Sequence, residues 1–415
     1  KVWTRCLKSS SNKGASCIVK SKQLDEPLLA KKFSGEISEL KIAIIGGGLV
    51  GRLLAWRLAH IQMRNDSDIP NTLDSTTDNG IRSGGNSNIW LFEKNTLLPS
   101  ASTRDKAAAF TAAAMISPMS ELVSSELEIY QLGQTSLKLW PKWLAEMESS
   151  EHYHQQGSLV LAHPNDMAEL QQFKRDLNYK LNNLPHKKEN ELKTLDNRLD
   201  LEALEPAISP HFQSGLLLPT EAHIDHDEVL SNLITQAKKL GVNFKENHPL
   251  EPNDESLKDY DMILDCRGTG LKEQGFRGVR GEVIRLECKE VTLKRPIRLM
   301  HPRYKLYIVP KPNHQFVIGA TEIESEDKSN ISLRSSLELM SALYAVNPAF
   351  AEARIINQDT NLRPAYMDNL PRIEKSKSIF NKPIIRINGL YRHGYLISPA
   401  LVEQTIKQHV LEECP

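Results

Sequence analysis

The stretch KIAIIGGGLVGRLLAWRLAH, residues 41–60, decides the fold of this 415-residue chain. It begins with an apolar run typical of a buried parallel strand and continues into a helix with leucines on one side. Between them lies the pattern G-x-G-x-x-G at Gly46, Gly48 and Gly51. A strand, a glycine turn and a helix in this order predict a dinucleotide-binding unit of the Rossmann type.

Each glycine of the pattern has its own physical reason. Gly46 allows the sharp turn out of the strand, and Gly48 lets the backbone approach a pyrophosphate because it has no Cβ. Gly51 lets the helix pack closely against the sheet. The first helical N–H groups, at Leu49 and Val50, and the positive end of the helix dipole are then expected to face the phosphates.

A carboxylate follows the next predicted strand, NIWLFEKN (88–95), at Glu93, with Lys94 beside it. Such a carboxylate accepts hydrogen bonds from both ribose hydroxyls and repels a 2′-phosphate, which argues against NADP. Glu93 follows Gly51 by 42 residues, where about 20 are usual. Residues 62–88 account for the excess, since their Asn-, Asp-, Ser- and Gly-rich sequence predicts a long surface loop.

Composition excludes several classes of protein. The 52 basic and 52 acidic residues balance, which argues against a nucleic-acid-binding surface as the main function. No apolar run approaches the roughly 20 residues of a membrane helix. The five cysteines are scattered without metal-binding spacing, so we expect no disulfide framework, a reducing compartment and a cytoplasmic protein. The basic, serine-rich start predicts a disordered leader over residues 1–38, although a transit peptide is an alternative.

A second glycine-rich loop, NGLYRHGYLISPALVEQ (388–404), precedes a helix predicted to begin near Leu396. A helix N-terminus there would stabilise negative charge on a reduced flavin ring. The glycine pattern at 46–51 does not by itself separate NAD from FAD. This second loop favours FAD, and a further glycine turn follows the buried strand in YDMILDCRGTG, at Gly268.

Strands and helices alternate at both ends of the chain, around a strand-rich middle. This order predicts an α/β fold (α+β overall) with two interleaved domains.

Five pieces of the sequence, spread from about residue 40 to residue 405, resemble the D-amino-acid oxidase superfamily of flavoproteins. The resemblance is strongest to its glycine oxidase (ThiO-type) branch. The pieces are IAIIGGGLVGRLLAWRLA with LFEK, AAAFTAAAMISPMSE, VRGEVI, LYIVPK with FVIGATE, and LRPAYMDNLPRI with NGLYRHGYLISPAL. The last two pieces are the most specific, because the first is found in flavoproteins generally.

The resemblance implies a Rossmann-like FAD-binding domain, comprising residues 39–135, 206–280 and 356–415, and an interleaved substrate domain built on a mixed β-sheet, comprising residues 136–205 and 281–355. It also implies an enzyme that oxidises an amine next to a carboxylate, with FAD held non-covalently. Hydride would pass from the substrate α-carbon to flavin N5, leaving an imine that hydrolyses to an oxo acid, and oxygen would yield hydrogen peroxide. The implied partners are a small amine or amino-acid substrate and oxygen or another electron acceptor. A homo-oligomer is an option, and no nucleic acid is expected.

Site residues follow from the same resemblance. Arg363 in NLRPAYMD would pair with the substrate carboxylate, for which a guanidinium fork is suited. Arg392 in LYRHGYL would lie in the loop over the flavin and help to hold the substrate, and Tyr307 in KLYIVP would be an active-site tyrosine. The residues that would meet the flavin ring are His393, Gly394, Tyr395 and Leu396 at its pyrimidine edge, and Thr111, Ala112, Ala113, Ala114 and Met115 beside the isoalloxazine.

The sequence departs from the branch at four positions. Lys305 stands where a histidine is frequent and Ala114 where glycine is frequent, and the usual loop FRNG reads YRHG, with Tyr391 and His393. We interpret His393 as a polar loop residue rather than an acid–base group. The matched segments near the flavin contain no cysteine, which is why a non-covalent flavin is expected.

Four alternatives stay open from the sequence. A D-amino-acid dehydrogenase would keep the fold and pass electrons to a quinone. The oxidase half of a tRNA-modifying enzyme would act on a carboxymethylaminomethyl group, although the zero net charge opposes RNA binding. A non-catalytic nucleotide-binding module is opposed by Arg363 and Arg392, and an NAD-dependent dehydrogenase would leave the loop at 388–404 without a role.

Overall fold

The computed structural model describes residues 40–66, 87–100, 103, 105–184, 192–208, 210–301 and 306–411. The predicted leader, most of the predicted loop at 62–88 and Lys305 lie outside the described residues. The strands, numbered along the chain, are β1 (Ile42–Ile45), β2 (Ile89–Phe92), β3 (Met115–Ile116), β4 (Tyr153–His154), β5 (Ser158–Ala162), β6 (Lys193–Leu195), β7 (Gly215–Leu218), β8 (Ala222–Ile224), β9 (Asn243–Lys245), β10 (Met262–Asp265), β11 (Phe276–Glu287), β12 (Ile297–Met300), β13 (Leu306–Lys311), β14 (Gln315–Gly319), β15 (Arg354–Tyr366), β16 (Arg372–Lys377) and β17 (Pro383–Asn388). The α-helices are α1 (Leu49–Asp66), α2 (Pro118–Leu122), α3 (Leu127–Glu146), α4 (Met167–Asn182), α5 (Arg198–Leu204), α6 (His226–Lys239), α7 (Leu333–Val346) and α8 (Gly394–Thr405).

The first sheet carries the glycine turn. Its six strands lie in the order β16-β17-β10-β1-β2-β9, and all neighbours are parallel except β16 and β17. β1 is buried along its whole length, as its continuous apolar run predicts. Helices α1, α3, α6 and α8 contribute to one core with it, through residues such as Leu53, Trp140, Leu230 and Leu401. The predicted Rossmann-like unit is confirmed.

The second sheet has eight strands in the order β15-β11-β14-β13-β12-β5-β7-β6. It is mixed, since β12 and β5 run parallel while the other neighbours are antiparallel. Helix α7 packs on it through Leu339 and Leu343. The predicted mixed sheet is therefore confirmed, and a small antiparallel sheet, β3-β8-β4, accompanies it. Among the residues that the structure describes, no helix has the length and apolar character needed to cross a bilayer.

Helix α1 corrects the predicted start of the long loop. It continues to Asp66, whereas the sequence predicts a loop from residue 62. Gln, Met and Arg, which occupy positions 62–64, are good helix formers, so local propensity outweighs the polar composition that suggested a loop.

The domain ranges stay a proposal, but the packing assigns three stretches differently. Both β7 and β15 belong to the eight-stranded sheet, where β7 pairs with β5 and β6 and β15 pairs with β11. The predicted FAD-binding domain includes residues 206–280 and most of β15. The second half of α3 packs in the core of the six-stranded sheet, although residues 136–205 are predicted as substrate domain. A short apolar run such as GLLL indicates burial and does not encode which strand will pair with it.

Candidate active site

The three glycines of the β1–α1 turn meet different surroundings. Gly46 has a φ of +106°, and a Cβ there would lie 2.5 Å from the carbonyl oxygen of Cys266 on the neighbouring chain segment. A Cβ at Gly51 would overlap the carbonyl oxygen of Gly46, so the helix packs on the turn only with glycine there. At Gly48 the nearest atom to a Cβ is the Cβ of Ala107, at 3.7 Å. The backbone at Gly48 therefore presents an open face, as a site for pyrophosphate requires.

Glu93 lies beside this turn, at the end of β2. Its Oε2 accepts a hydrogen bond of 2.6 Å from the N–H of Gly47, and its Oε1 accepts one of 3.0 Å from the N–H of Asn95. A carboxylate has about four acceptor positions, so positions remain for ribose hydroxyls. Lys94 is paired with Asp105, at 2.6 Å. Parallel pairing of β1 with β2 brings Glu93 to the turn despite the long stretch of sequence between them.

One cavity of about 490 Å³ extends from this turn to the eight-stranded sheet. All the predicted site residues except Gly51 line it. They are Gly46, Gly48, Leu49, Val50, Glu93, Lys94, Thr111, Ala112, Ala113, Ala114, Met115, Gly268, Tyr307, Arg363, Arg392, His393, Gly394, Tyr395 and Leu396. The structure therefore brings together residues that lie up to 350 positions apart in the chain.

The segment from Thr111 to Met115 forms the small-residue part of the wall. Ala114 has a φ of +56°, in the left-handed region that favours glycine. A non-glycine residue there costs roughly 1–2 kcal/mol. Two hydrogen bonds hold the segment in place. The carbonyl oxygen of Ala114 accepts one of 3.0 Å from the N–H of Ile224, and that of Ala113 accepts one of 2.9 Å from Nζ of Lys311.

Arg363 lies on β15 and projects into the cavity wall. Its Nη2 donates to the carbonyl oxygen of Thr321 at 3.0 Å, and its Nη1 donates to that of Arg280 at 3.3 Å. These partners are neutral, so they orient the guanidinium without compensating its charge. The group thus has no carboxylate partner among the described residues.

Arg392 differs from Arg363 in its surroundings. Its Nε and Nη2 contact Glu121 at 3.1 and 3.0 Å, and its Nη1 contacts Glu322 at 3.0 Å. Burial alone would lower the pKa of Arg392, but Glu121 and Glu322 outweigh burial and raise that pKa above its ordinary value. The expectation that Arg392 helps to hold the substrate is therefore weaker here, since the protein already supplies two carboxylates to it.

Tyr307 lies on β13, opposite Arg298 of β12 and Gly319 of β14. A Cβ at Gly319 would lie 2.9 Å from the tyrosine hydroxyl, so glycine leaves room for the ring. Burial raises the pKa of Tyr307, while the nearby charges of Arg363 and Arg298 oppose that shift. The phenol is therefore protonated at neutral pH and available as a hydrogen-bond donor.

His393 is buried beneath the loop, with 3% of its surface exposed. Its Nδ1 lies 3.6 Å from Glu121, and its Nε2 lies 3.4 Å from Oγ of Ser125. Burial lowers the pKa of His393 to about 4, against the attraction of Glu121. The ring is therefore neutral at pH 7, which fits its interpretation as a residue without an acid–base role.

Sequence reasoning did not identify several charged and polar residues that line the cavity. Arg298 lies 3.6 Å from Glu121 and lines the same cavity, as do Glu121, Glu322 and Tyr391. Strand alternation offered the only signal for Arg298, because its neighbours Ile297 and Leu299 are buried. An arginine at such a position ordinarily faces solvent, so the pattern did not mark it as part of a site.

A cysteine, Cys266, lies near the glycine turn, outside the segments near the flavin that carry the family resemblance. It lines the cavity at its glycine-turn end, next to Gly46. Burial raises the pKa of the Cys266 thiol well above 9.0, and the adjacent Asp265 adds to this effect. A protonated, buried thiol is unreactive, so Cys266 does not oppose a non-covalent flavin.

Comparison with known proteins agrees with this geometry. The family model described as FAD dependent oxidoreductase (DAO) matches residues 41–407. A protein of Rhizobium etli, named as a thiamine biosynthesis oxidoreductase, ThiO, is 34% identical over 376 residues, which cover 90% of this chain and 98% of that protein. The D-amino-acid oxidase of Dictyostelium discoideum is 25% identical over 157 residues, 36% of this chain and 42% of that protein.

Solved structures share the fold. The glycine oxidase of Geobacillus kaustophilus has a TM-score of 0.66 at 19% identity, with 91% of this chain and 95% of that chain covered. The glycine oxidase of Bacillus cereus has a TM-score of 0.64 at 20% identity, with 90% and 98% covered.

Proposed function

The chain belongs to the family of FAD-dependent oxidoreductases, and we propose that it oxidises a small amine or amino acid carrying one carboxylate, in the manner of a glycine oxidase. When bound, FAD supplies the hydride acceptor at N5, so that the substrate leaves as an imine that hydrolyses to an oxo acid, and oxygen receives the electrons as hydrogen peroxide. The small size of the substrate and the use of oxygen belong to the proposal. A cytoplasmic location, expected from the cysteine content, is part of it too.

The residues present fit FAD. The open face of Gly48 leaves space for a pyrophosphate at the N-terminus of α1. Glu93 retains acceptor positions for a ribose, next to that N-terminus. The cavity continues from there past the segment 111–115 to the loop at 391–396, which gives an extended dinucleotide the length it needs.

The charge on Arg363 is the observation that carries the substrate assignment. Of the guanidinium groups in the described cavity wall, Arg298 and Arg392 have carboxylates within 4 Å, as does Arg267 at the cofactor end. Arg363 alone has only neutral carbonyl partners. Glu322 interacts with Arg363 electrostatically but does not bond to it. A guanidinium in a half-buried wall without a directly bonded carboxylate is expected to bind an anion, and its planar fork matches one carboxylate.

Tyr307 supports the same assignment. The charge of Arg363 acts on the Tyr307 hydroxyl, and both groups line the same cavity, so we expect both to donate to one substrate carboxylate. Glu121 and Glu322 line the same wall, but they pair with Arg298 and Arg392 and so leave Arg363 as the cation for a substrate carboxylate. A substrate with one carboxylate matches this arrangement.

The test uses the purified holoenzyme under anaerobic conditions. We expect glycine, sarcosine or D-alanine to bleach the flavin absorbance, and methylamine, which has no carboxylate, to leave it unchanged. Readmitting air should restore the absorbance and release hydrogen peroxide. Slow restoration in air with fast restoration by a quinone would instead indicate a dehydrogenase, and equal bleaching by methylamine would contradict the role of Arg363.

A matched pair of variants tests the residue itself. Arg363→Ala should raise KM sharply while FAD remains bound, because Arg363 is assigned to the substrate. Arg354→Ala, at an exposed position on the same strand, should leave KM unchanged. Loss of flavin from Arg363→Ala but not from Arg354→Ala would contradict the carboxylate assignment.

A further inference from the structure

A second group of ligating side chains lies on the small antiparallel sheet, outside the cavity wall. His154 of β4 pairs across the sheet with His223 of β8, and their rings stack with centroids 4.8 Å apart. Asp225 follows β8 directly, and its Oδ2 lies 2.8 Å from Nε2 of His154. One potential ligand atom from each of the three lies within 4.8 Å of the others.

Two of these side chains have buried atoms without hydrogen-bond partners among the described residues. They are Nδ1 of His223 and Oδ1 of Asp225, on residues that are 3% and 2% exposed. A buried polar group left without a partner costs roughly 1–3 kcal/mol, so native proteins seldom keep two together. A bound ion at this position would satisfy the cluster.

We propose that His154, His223 and Asp225 bind one divalent transition-metal ion of the zinc type. Two imidazole nitrogens and one carboxylate oxygen are a ligand set that zinc uses, whereas Mg²⁺ and Ca²⁺ prefer oxygen ligands alone. Zinc holds such ligands at about 2.0–2.2 Å in a tetrahedron, so small side-chain rotations must draw the three groups together. Water or His152 completes the coordination, since Nδ1 of His152 lies 3.4 Å from Oδ2 of Asp225.

The site is accessible from solvent. The side chain of His154 is 34% exposed and that of His152 is 22% exposed, while Asp225 and His223 form the buried floor. An ion can therefore enter past His154 without opening the core. The ion would cross-link β4 and β8. These residues do not line the cavity, so the ion would not contact the substrate of the proposed amine oxidation.

The experiment measures zinc in the untagged holoenzyme. The protein is dialysed against a chelator and then titrated with zinc chloride in a calorimeter, and bound zinc per flavin is measured by elemental analysis. We expect one equivalent of zinc, and a higher unfolding temperature in its presence, because an ion that binds only the folded state stabilises it. Failure to bind a stoichiometric equivalent would overturn the proposal, as would a preference for magnesium or calcium.

Variants locate the ion. His154→Gln should weaken zinc binding at least tenfold, since even supporting residues of zinc sites contribute about 10–100-fold. The partly exposed position of His154 allows the variant to fold, and an unchanged flavin content verifies this. His314→Gln, at an exposed histidine of another hairpin, should bind zinc as the unaltered protein does. Equal zinc affinity in the two variants would place the ion elsewhere and overturn the assignment, whatever the amine oxidation assay shows.

Discussion

The guanidinium of Arg363 occupies the space that a side chain at Gly281 would need. A Cβ at Gly281 would lie 2.5 Å from Cζ of Arg363 and 2.7 Å from its Nη1. β11 and β15 are paired antiparallel here, so the glycine on one strand lets the arginine lie flat against the other. The orientation of the proposed carboxylate-binding group therefore depends on the absence of a side chain at Gly281, which lines the same cavity.

Gly281→Ala is expected to raise the KM for the amino-acid substrate by about 10- to 100-fold while FAD stays bound. The added methyl must displace the guanidinium, and small misplacements of binding groups cost about this much. Steady-state kinetics and flavin content measure the effect. Gly278→Ala is the control, since Gly278 lies on the same strand but a Cβ there would meet Leu362 and not Arg363. An equal rise of KM in both variants would contradict a specific contact with Arg363.

The glycine turn provides a second prediction, because two of its glycines have opposite surroundings. Gly48→Ala should leave the stability of the apoprotein nearly unchanged and weaken FAD binding at least tenfold, since its Cβ would enter only the open cavity. Gly51→Ala should destabilise the apoprotein by about 1–3 kcal/mol, since its Cβ overlaps the carbonyl oxygen of Gly46. Urea unfolding and a flavin titration separate the two effects. Full FAD affinity in Gly48→Ala would place the pyrophosphate elsewhere.

Local sequence patterns predicted the framework of this protein well. The strand at 42–45, the glycine turn and the acid after β2 each depend on residues close together in the chain, and the structure places Gly46, Gly48 and Glu93 in one cavity wall. The positions of Arg363 and Arg392 came from the resemblance to a family rather than from a pattern. Their shared wall could not be read from spacing, because it depends on the pairing of distant strands.

The electrostatic pairing in the wall was missed for the same reason. Glu121 comes from the short helix α2, and Glu322 comes from the segment after β14, so neither adjoins Arg392 in the sequence. The partners of a guanidinium are fixed by tertiary packing, and a single sequence carries no signal for it. The protonation state of His393 was also beyond sequence reasoning, because it depends on the burial of the ring and not on its position in a loop.

The buried His393 predicts a dependence of stability on pH. In the folded state its pKa is about 4, lowered mainly by burial, whereas the ordinary value is 6.5. As the pH falls from 6.5 toward 4, the unfolded chain therefore takes up a proton that the folded protein does not, and stability decreases. The loss between pH 7.5 and pH 5 should be about 2 kcal/mol from this group, at roughly 1.4 kcal/mol per pH unit.

Urea unfolding with saturating FAD at the two pH values measures this loss. In His393→Gln the difference between pH 7.5 and pH 5 should shrink by about 2 kcal/mol, whereas the exposed His314→Gln should keep it. Glu121 faces the ring at 3.6 Å, and the charges of Arg392, Glu322 and Arg363 also act on it. If the pH dependence of His393→Gln were unchanged, groups other than His393 would cause the loss of stability between pH 7.5 and pH 5.

Glu322 offers a prediction about substrate selection. Arg392 contacts Glu322 at 3.0 Å and Glu121 at 3.0 Å, so its charge is compensated by the protein. In Glu322→Gln the negative charge is lost and the wall gains one uncompensated positive charge. Arg392 then keeps only Glu121 as a carboxylate partner, and its Nη1 becomes available to a second carboxylate.

Iminodiacetate, which carries two carboxylates, is the probe for this change. The ratio of kcat/KM for iminodiacetate to that for glycine should rise about tenfold in Glu322→Gln, which corresponds to about 1.4 kcal/mol. Glu324→Gln is the matched control, because that carboxylate lies two residues further on, is exposed and pairs with Arg277 instead. An unchanged ratio in Glu322→Gln would show that the pairing of Glu322 with Arg392 does not restrict the site to a single carboxylate. A rise in both variants would attribute the effect to the overall charge near the cavity, since long-range charge attracts a dianion without any specific contact.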